Sequence, residues 1–278
     1  MSKIAFIDVD GCLNPPSGED FPSGLVGEIT TDQKEVFARL LHALEGSSLE
    51  AVVMNTGRGI EDALYIARSL PTPKLRYLLL EHSLYGYDLE RDCEIDLGQL
   101  AEALGLLEIA SRYRQIETIE RVVSWYTHEG QAILRDKIAR DCPALPKRGN
   151  LSMAIPDGYD AEGLIEELKD LVKECLGSET ADKLTYCHSN LFVDCIGSVH
   201  KSDGVVILMQ HLGYKPKDAL IVGDGKNDLD VFGKFENLLC PANAHPEIIE
   251  MTRERGGVVS EHPFAECLIR HLEVCAAV

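Results

Sequence analysis

The sequence predicts an α/β protein, a doubly wound parallel sheet flanked by helices and interrupted by an inserted α+β domain. Three observations carry that expectation. Short apolar runs recur at 4–7, 51–54, 75–80 and 218–222, the pattern of strands buried on both faces. Amphipathic stretches separate them, as in β-α-β units. Between them, strand candidates turn polar-flanked, as antiparallel strands with one open face do. The expected division is a discontinuous core of residues 1–83 and 197–278 around an insertion of 84–196.

In order, 4–7 is a strand that ends in Asp8, Val9, Asp10 and Gly11. A loop rich in Pro and Gly follows (Pro15, Pro16, Gly18, Pro22, Gly24). Asp32 with Glu35 three residues on reads as a helix cap before Val36, Leu40, Leu41 and Leu44. The strand 51–54 ends in Asn55, Thr56, Gly57 and Arg58. A helix over 60–70 stops at Pro71 and Pro73, and 75–80 is the third strand. The insertion is read as helices over 97–113, 131–142 and 161–176, with strands over 120–126, 150–155, 183–188 and 191–196. Lys201 then opens a helix to about Leu212. The strand 218–222 runs into Gly223–Asp228, and a short helix, a strand at 238–240 and helices from 244 and 263 close the chain.

At 278 residues the chain is long enough for about two domains. Its 45% hydrophobic and 26% charged residues are ordinary for a globular protein. A net charge of -19 argues against nucleic acid and against anionic membrane surfaces. No apolar stretch approaches the ~20 residues of a membrane helix. No charged-then-apolar leader precedes the first strand, and nine scattered cysteines read as reduced thiols, so a cytoplasmic protein is expected.

Three candidate sites follow apolar strands, which a parallel sheet would bring to one edge, where α/β sheets bind ligands. They are Asp8 with Asp10, Thr56, and Asp224 with Asp228; Lys201 joins them from a helix start. Carboxylates in this number suit Mg²⁺, a hard cation that needs few protein ligands. An ammonium and a hydroxyl suit the oxygens of a phosphoryl group.

These residues resemble the four motifs of the haloacid dehalogenase (HAD) superfamily. Asp8-Val9-Asp10-Gly11 matches DxDG, and Thr56 matches the Ser or Thr at the second strand end. Lys201 matches the Lys at a helix start, and Gly223, Asp224, Gly225, Asn227 and Asp228 match GDGxND. The Thr56-Gly57-Arg58 that makes up the second motif is typical of the sugar-phosphatase branch. An insertion between Thr56 and Lys201 looks like the C2-type cap of subfamily IIB, so the resemblance implies a HAD-like Rossmannoid core with a specificity cap.

It further implies a Mg²⁺-dependent phosphomonoester hydrolase for a small phosphorylated sugar or sugar conjugate, acting through an aspartyl-phosphate. Asp8 would be the nucleophile and Asp10 the general acid and base. Mg²⁺ would be held by Asp8, the Asp10 carbonyl and Asp224, with Asp228 binding through water or orienting Lys201. Thr56 and Lys201 would take the phosphoryl oxygens, with Gly57, Arg58 and Asn227 as further substrate contacts or supports. A phosphomannomutase-like mutase on the same scaffold and a non-catalytic phosphoacceptor are the rival readings. Two positions depart from the family: Cys12 replaces the usual Thr, and Glu81-His82-Ser83 replaces Glu-Asn-Gly at the cap entrance.

Other features weigh less. Cys142 has Arg148 six residues on, but the intervening loop has two prolines and no glycine to wrap a phosphate. Arg58 fits either a substrate contact or a pin for its own helix. Trp125 and Tyr126 fit either sugar stacking or core packing. The basic residues Arg112, Arg114, Arg121, Arg135, Lys147 and Arg148 read as a solvated face. His188 and His200 lack the companions of a zinc site.

Overall fold

Ile4-Ala5-Phe6-Ile7 forms strand β1 (Ile4–Ile7), and all four residues are buried. A strand apolar on both faces is stable only between two layers of helices, and that requirement organises the larger unit. A computed structural model describes residues 2–13, 31–188 and 192–276. It divides into two compact units, Met1–Leu106 with His200–Val278, and Leu107–Val199.

The larger unit continues through α1 (Thr31–Gly46), β2 (Ala51–Asn55), α2 (Ile60–Arg68) and β3 (Leu75–Leu80). Next come β4 (Tyr85–Asp88), β5 (Cys93–Ile95) and α3 (Leu97–Ala103). The expected Pro- and Gly-rich loop lies outside the described residues, as does the Asp32 side chain; the helix itself starts at Thr31.

The smaller unit holds α4 (Leu107–Tyr113), α5 (Ile116–Trp125), α6 (Gln131–Ile138), β6 (Asn150–Ala154), α7 (Ala161–Leu176), α8 (Ser178–Ala181), β7 (Thr185–His188) and β8 (Phe192–Ile196). The larger unit resumes with α9 (Lys201–His211), β9 (Ala219–Val222), α10 (Leu229–Phe232), β10 (Leu238–Cys240), α11 (Pro246–Glu254), β11 (Val258–Val259) and α12 (Phe264–Ala276).

The large sheet has the strand order β11-β10-β9-β1-β2-β3-β4-β5. From β11 to β3 neighbours are parallel, and β4 and β5 add an antiparallel edge. This is the doubly wound α/β core that the sequence predicts. From β1 the chain winds one way through β2 and β3, and later returns to β1's other side with β9. The strand order therefore reverses between β1 and β9, and doubly wound sheets open a ligand crevice at the carboxyl ends of such strands. Ile7 is level with Met54 on one side and Val222 on the other. Residues 8, 55–56 and 223–224 therefore leave the sheet side by side.

The expected domain junction near residue 83 falls within this sheet, because β4 pairs with β3. The chain reverses at Glu81, His82 and Ser83, all three in the left-handed region with φ of 49, 60 and 68°. Each such non-glycine residue costs about 1–2 kcal/mol. Pairing of β3 with β4 and burial of all three side chains hold the turn in place.

In the smaller unit a three-stranded antiparallel sheet, β6-β8-β7, packs one face on α5, α6 and α7. Residues 120–126, expected to be a strand, are helix α5 and the turn after it. The adjacent Val122-Val123 and Trp125-Tyr126 carry high strand propensity. Yet Ile119, Val122, Val123 and Tyr126 fall at i, i+3, i+4 and i+7, and all are buried in one cluster with Leu168 and Met153. Burial of a helical face outweighs propensities that differ by fractions of a kcal/mol per residue. Tyr126 is fully buried and donates its hydroxyl to the Cys142 carbonyl at 2.8 Å, so it belongs to the core and not to a sugar platform. The expected helix 97–113 is two helices, broken at Gly105 with φ of 75°.

Candidate active site

β1 ends in Asp8, whose N–H still donates to the Val222 carbonyl of β9 at 2.9 Å. That bond fixes Asp8 beside the segment that leaves β9. There Asp224 and Asp228 present carboxylate oxygens that lie, with one from Asp8, within 4.8 Å of one another. Asp228 is held by its own loop, because one carboxylate oxygen accepts from the backbone N–H groups of Asp224 (3.0 Å) and Gly225 (3.1 Å). Asp224 reaches the cluster because Gly11 makes room. Gly11 sits at φ of 76°, and a Cβ there would collide with the Asp224 carboxylate. The glycine of DxDG is thus required both for its backbone angle and for the space it leaves. Asn243 clamps the loop by donating to the Gly11 carbonyl at 2.9 Å.

Lys201 is the cation in this group. Its ammonium lies 2.6 Å from Asp228 and 3.1 Å from Asp8, and it is buried. A lysine in the first turn opposes the helix dipole, so the placement is not explained by helix stability. The N-terminus of α9 is instead supported by other acids. Asp203 accepts from the His200 N–H (2.9 Å), and Asp230 from the Ser202 N–H (2.9 Å). The Lys201 carbonyl accepts from Ser83 Oγ at 2.7 Å, and Asn55 Nδ2 lies 3.5 Å away. The strained turn after β3 therefore anchors the lysine. In the sequence Ser83 stands out only as a departure from the usual Glu-Asn-Gly, which does not point to this role, and Asn243 has no motif around it.

Thr56 follows β2 and is fully buried, with its N–H on the Leu79 carbonyl and its Oγ1 accepting from the Arg58 N–H at 3.1 Å. The next residue, Gly57, passes so close to His82 that a Cβ would lie 2.8 Å from the imidazole Nε2. Arg58 points to Asp10 and not to open space. Its Nε donates to Asp10 Oδ2 at 2.9 Å and its Nη2 to Oδ1 at 2.6 Å. Asn227 packs its side-chain oxygen over Gly225 in the loop after β9. Cys12, the residue departing from the usual motif, lies with its sulfur 3.8 Å from Asp224 Oδ1.

The cluster carries more negative than positive charge. Burial, helped by Asp228 and Asp10 and opposed by Lys201, pushes the Asp8 carboxyl up to about 7. Burial, with Asp8 and Asp228 adding repulsion, pushes Asp224 up to about 8. Lys201 moves up as well, because Asp228 and Asp8 outweigh the burial that works against its charge. Three carboxylates around one ammonium leave an excess of negative charge, and a divalent cation relieves it. A set of carboxylate oxygens suits Mg²⁺ or another hard ion, so the residues present fit the metal that the motifs imply.

Residues 150–268 match the family model described as haloacid dehalogenase-like hydrolase. Among solved structures, the sucrose-phosphatase from Synechocystis, determined with sucrose and phosphate, superposes with a TM-score of 0.63 at 18% identity, covering 99% of this chain and 98% of that one. A haloacid dehalogenase-like hydrolase from Bacteroides thetaiotaomicron gives 0.59 at 13% identity over 99% of both chains. One from Bacillus subtilis gives 0.55 at 14% over 99% and 92%. The whole chain thus shares the fold of these solved structures, and its residues 150–268 are similar to the haloacid dehalogenase-like hydrolases.

Proposed function

We propose that the protein is a Mg²⁺-dependent phosphomonoester hydrolase of subfamily IIB, acting on a small phosphorylated sugar or sugar conjugate. The observation that carries this reading is the group of buried Asp8, Asp228 and Lys201 with partly buried Asp224 at the switch point of the sheet. An Asp8 oxygen forms a bond to phosphorus as the ester P–O bond breaks, leaving an aspartyl-phosphate. Asp10 gives its proton to the departing alkoxide, then takes one from the water that cleaves the acyl phosphate. Thr56 and Lys201 hold the non-bridging oxygens, and Asn227 supports the loop. Mg²⁺ would be held by Asp8, the Asp10 carbonyl and Asp224, with Asp228 nearby, and would supply positive charge against that of the carboxylates and the phosphate.

The inserted unit is proposed as the element that selects the leaving group. Its sheet supports this, for the strand face opposite the apolar cluster carries Asn150, Ser152 and Asp194. Asn150 Nδ2 donates to Asp194 at 3.2 Å, and its Oδ1 is buried without a hydrogen-bond partner among the described residues. Such groups suit sugar hydroxyls. Nine unpaired cysteines fit a reducing compartment such as the cytoplasm, and among the described residues no helix is long and apolar enough to cross a membrane.

The test is release of inorganic phosphate from a panel of phosphorylated sugars, with and without Mg²⁺. The expected result is turnover that needs the ion and falls by at least ~10³-fold in Asp8→Asn. Undiminished turnover in that variant overturns the reading.

A further inference from the structure

Resting on that reading, we infer that Arg58 is a positioning residue for Asp10: its guanidinium fork fixes the carboxylate that protonates the leaving group. The Asp10 side chain is 45% exposed, yet both of its oxygens are held, Oδ2 by Nε at 2.9 Å and Oδ1 by Nη2 at 2.6 Å. Among the described residues no other side chain or N–H bonds that carboxylate. Arg58 is itself 12% exposed and kept in place from several sides. Its N–H donates to Thr56 Oγ1, its carbonyl accepts from the Glu81 N–H at 3.1 Å, and Asp62 of α2 lies 4.0 Å from Nη1. A pinned arginine thus restrains an otherwise mobile acid at the end of β1.

A two-point fork fixes a carboxylate's orientation as a single ammonium does not. An acid or base displaced by about 1 Å can lose ~10²-fold in rate. Asp10 takes the Nε/Nη2 edge of the guanidinium, the edge that makes a two-point fork with a carboxylate. The pair, half open to solvent, contributes little to stability, so its removal acts on the chemistry and not on the fold.

Leaving-group chemistry separates the two roles. Hydrolysis of a sugar phosphate expels an alkoxide that must be protonated, whereas p-nitrophenyl phosphate expels an anion stable without a proton. The experiment compares kcat/KM, which reports the step up to the aspartyl-phosphate, for both esters. It uses wild type, Arg58→Ala, Arg58→Lys, Asp10→Asn and the double variant Asp10→Asn/Arg58→Ala, each checked for folding by thermal melt. The expected loss in Arg58→Ala is about 100-fold on the sugar phosphate and within about threefold on the aryl ester. Arg58→Lys, which keeps charge but not the fork, should show the same selectivity. The double variant should be no slower than Asp10→Asn alone.

Equal losses on both esters, recovery of both by Arg58→Lys, or losses that multiply in the double variant overturn the inference and make Arg58 a phosphate ligand. Wild-type protein that hydrolyses neither ester overturns the underlying reading as well, and so distinguishes the two failures.

Discussion

The two units treat buried polarity in opposite ways. In the unit of residues 1–106 and 200–278, Asp8, Asp228 and Lys201 are buried together with Asp224 at their edge. In the unit of 107–199, the buried polar residues among those described are Asn150, Ser152 and Thr180, all neutral, around an otherwise apolar cluster. Removing charges from water costs several kcal/mol per ion even when they are paired. A fold that needed only stability would fill both interiors as the smaller unit does. The contrast fits a charged group kept for the proposed chemistry, and it makes that group a source of instability that the sheet around it must offset.

The strongest way to break this comparison is Lys201→Met. It removes the one ammonium facing Asp8 and Asp228, so activity should fall by about 10²–10³-fold, as for loss of a charge-stabilising donor. Stability in metal-free buffer should fall by about 3–5 kcal/mol, because two buried carboxylates lose their partner. Added Mg²⁺ should return part of that stability but not the activity. A variant as stable as wild type without metal would mean the charges are better solvated than their burial implies.

The matching change in the smaller unit is Leu168→Ala, which empties a fully buried position of its cluster. A loss of about 2–5 kcal/mol is expected in denaturant titration. Mg²⁺ should not reverse it, in contrast to Lys201→Met.

The smallest effect is in pH. Asp8 and Asp224 are raised in the folded protein, so it holds more protons than the unfolded chain from about pH 4 upward. The stability they contribute is therefore complete below the ordinary carboxylate range and lost as pH rises through about 7 and then 8. Without metal, Tm should fall on going from pH 5.5 to 8.5, the window in which the folded protein gives up the protons of Asp8 and Asp224 while Lys201 stays charged in both states. Mg²⁺, which favours the ionised forms, should raise Tm more at pH 8.5 than at pH 5.5. A metal-free Tm that rises with pH over this range would contradict the charge excess.

Much of the larger unit was legible along the chain. Its central strands β1, β2, β3 and β9 are almost wholly apolar because both faces are covered, and each candidate side chain sits within three residues of a strand end or at a helix start. Asp8, Thr56, Lys201, Asp224 and Asp228 could be named from that pattern and the motif order. Arg58 was left between two roles, and its bond to Asp10, 48 residues away, follows only from β1 and β2 lying in register. The smaller unit was harder to read. Residues 120–126 look like a strand by composition, and only the shared cluster with Leu168 and Met153 makes their helical spacing decisive. The hairpin of β4 and β5 was missed because both strands are short, and β5, at the sheet edge, is mostly exposed and carries no apolar run.

The sequence by itself determined that alternating apolar strands and amphipathic helices form a doubly wound sheet, and that acids, a hydroxyl and a lysine stand where its strands and one helix meet the edge. Those are local properties, set by side-chain periodicity and by which residues can end a strand. The tertiary structure decided which of these groups touch, that Ser83 and Asn243 brace them, and that the sheet extends past residue 83. Such pairings depend on strand register and on close approach at Gly11, and distances of this kind are fixed only when segments far apart in the chain pack together.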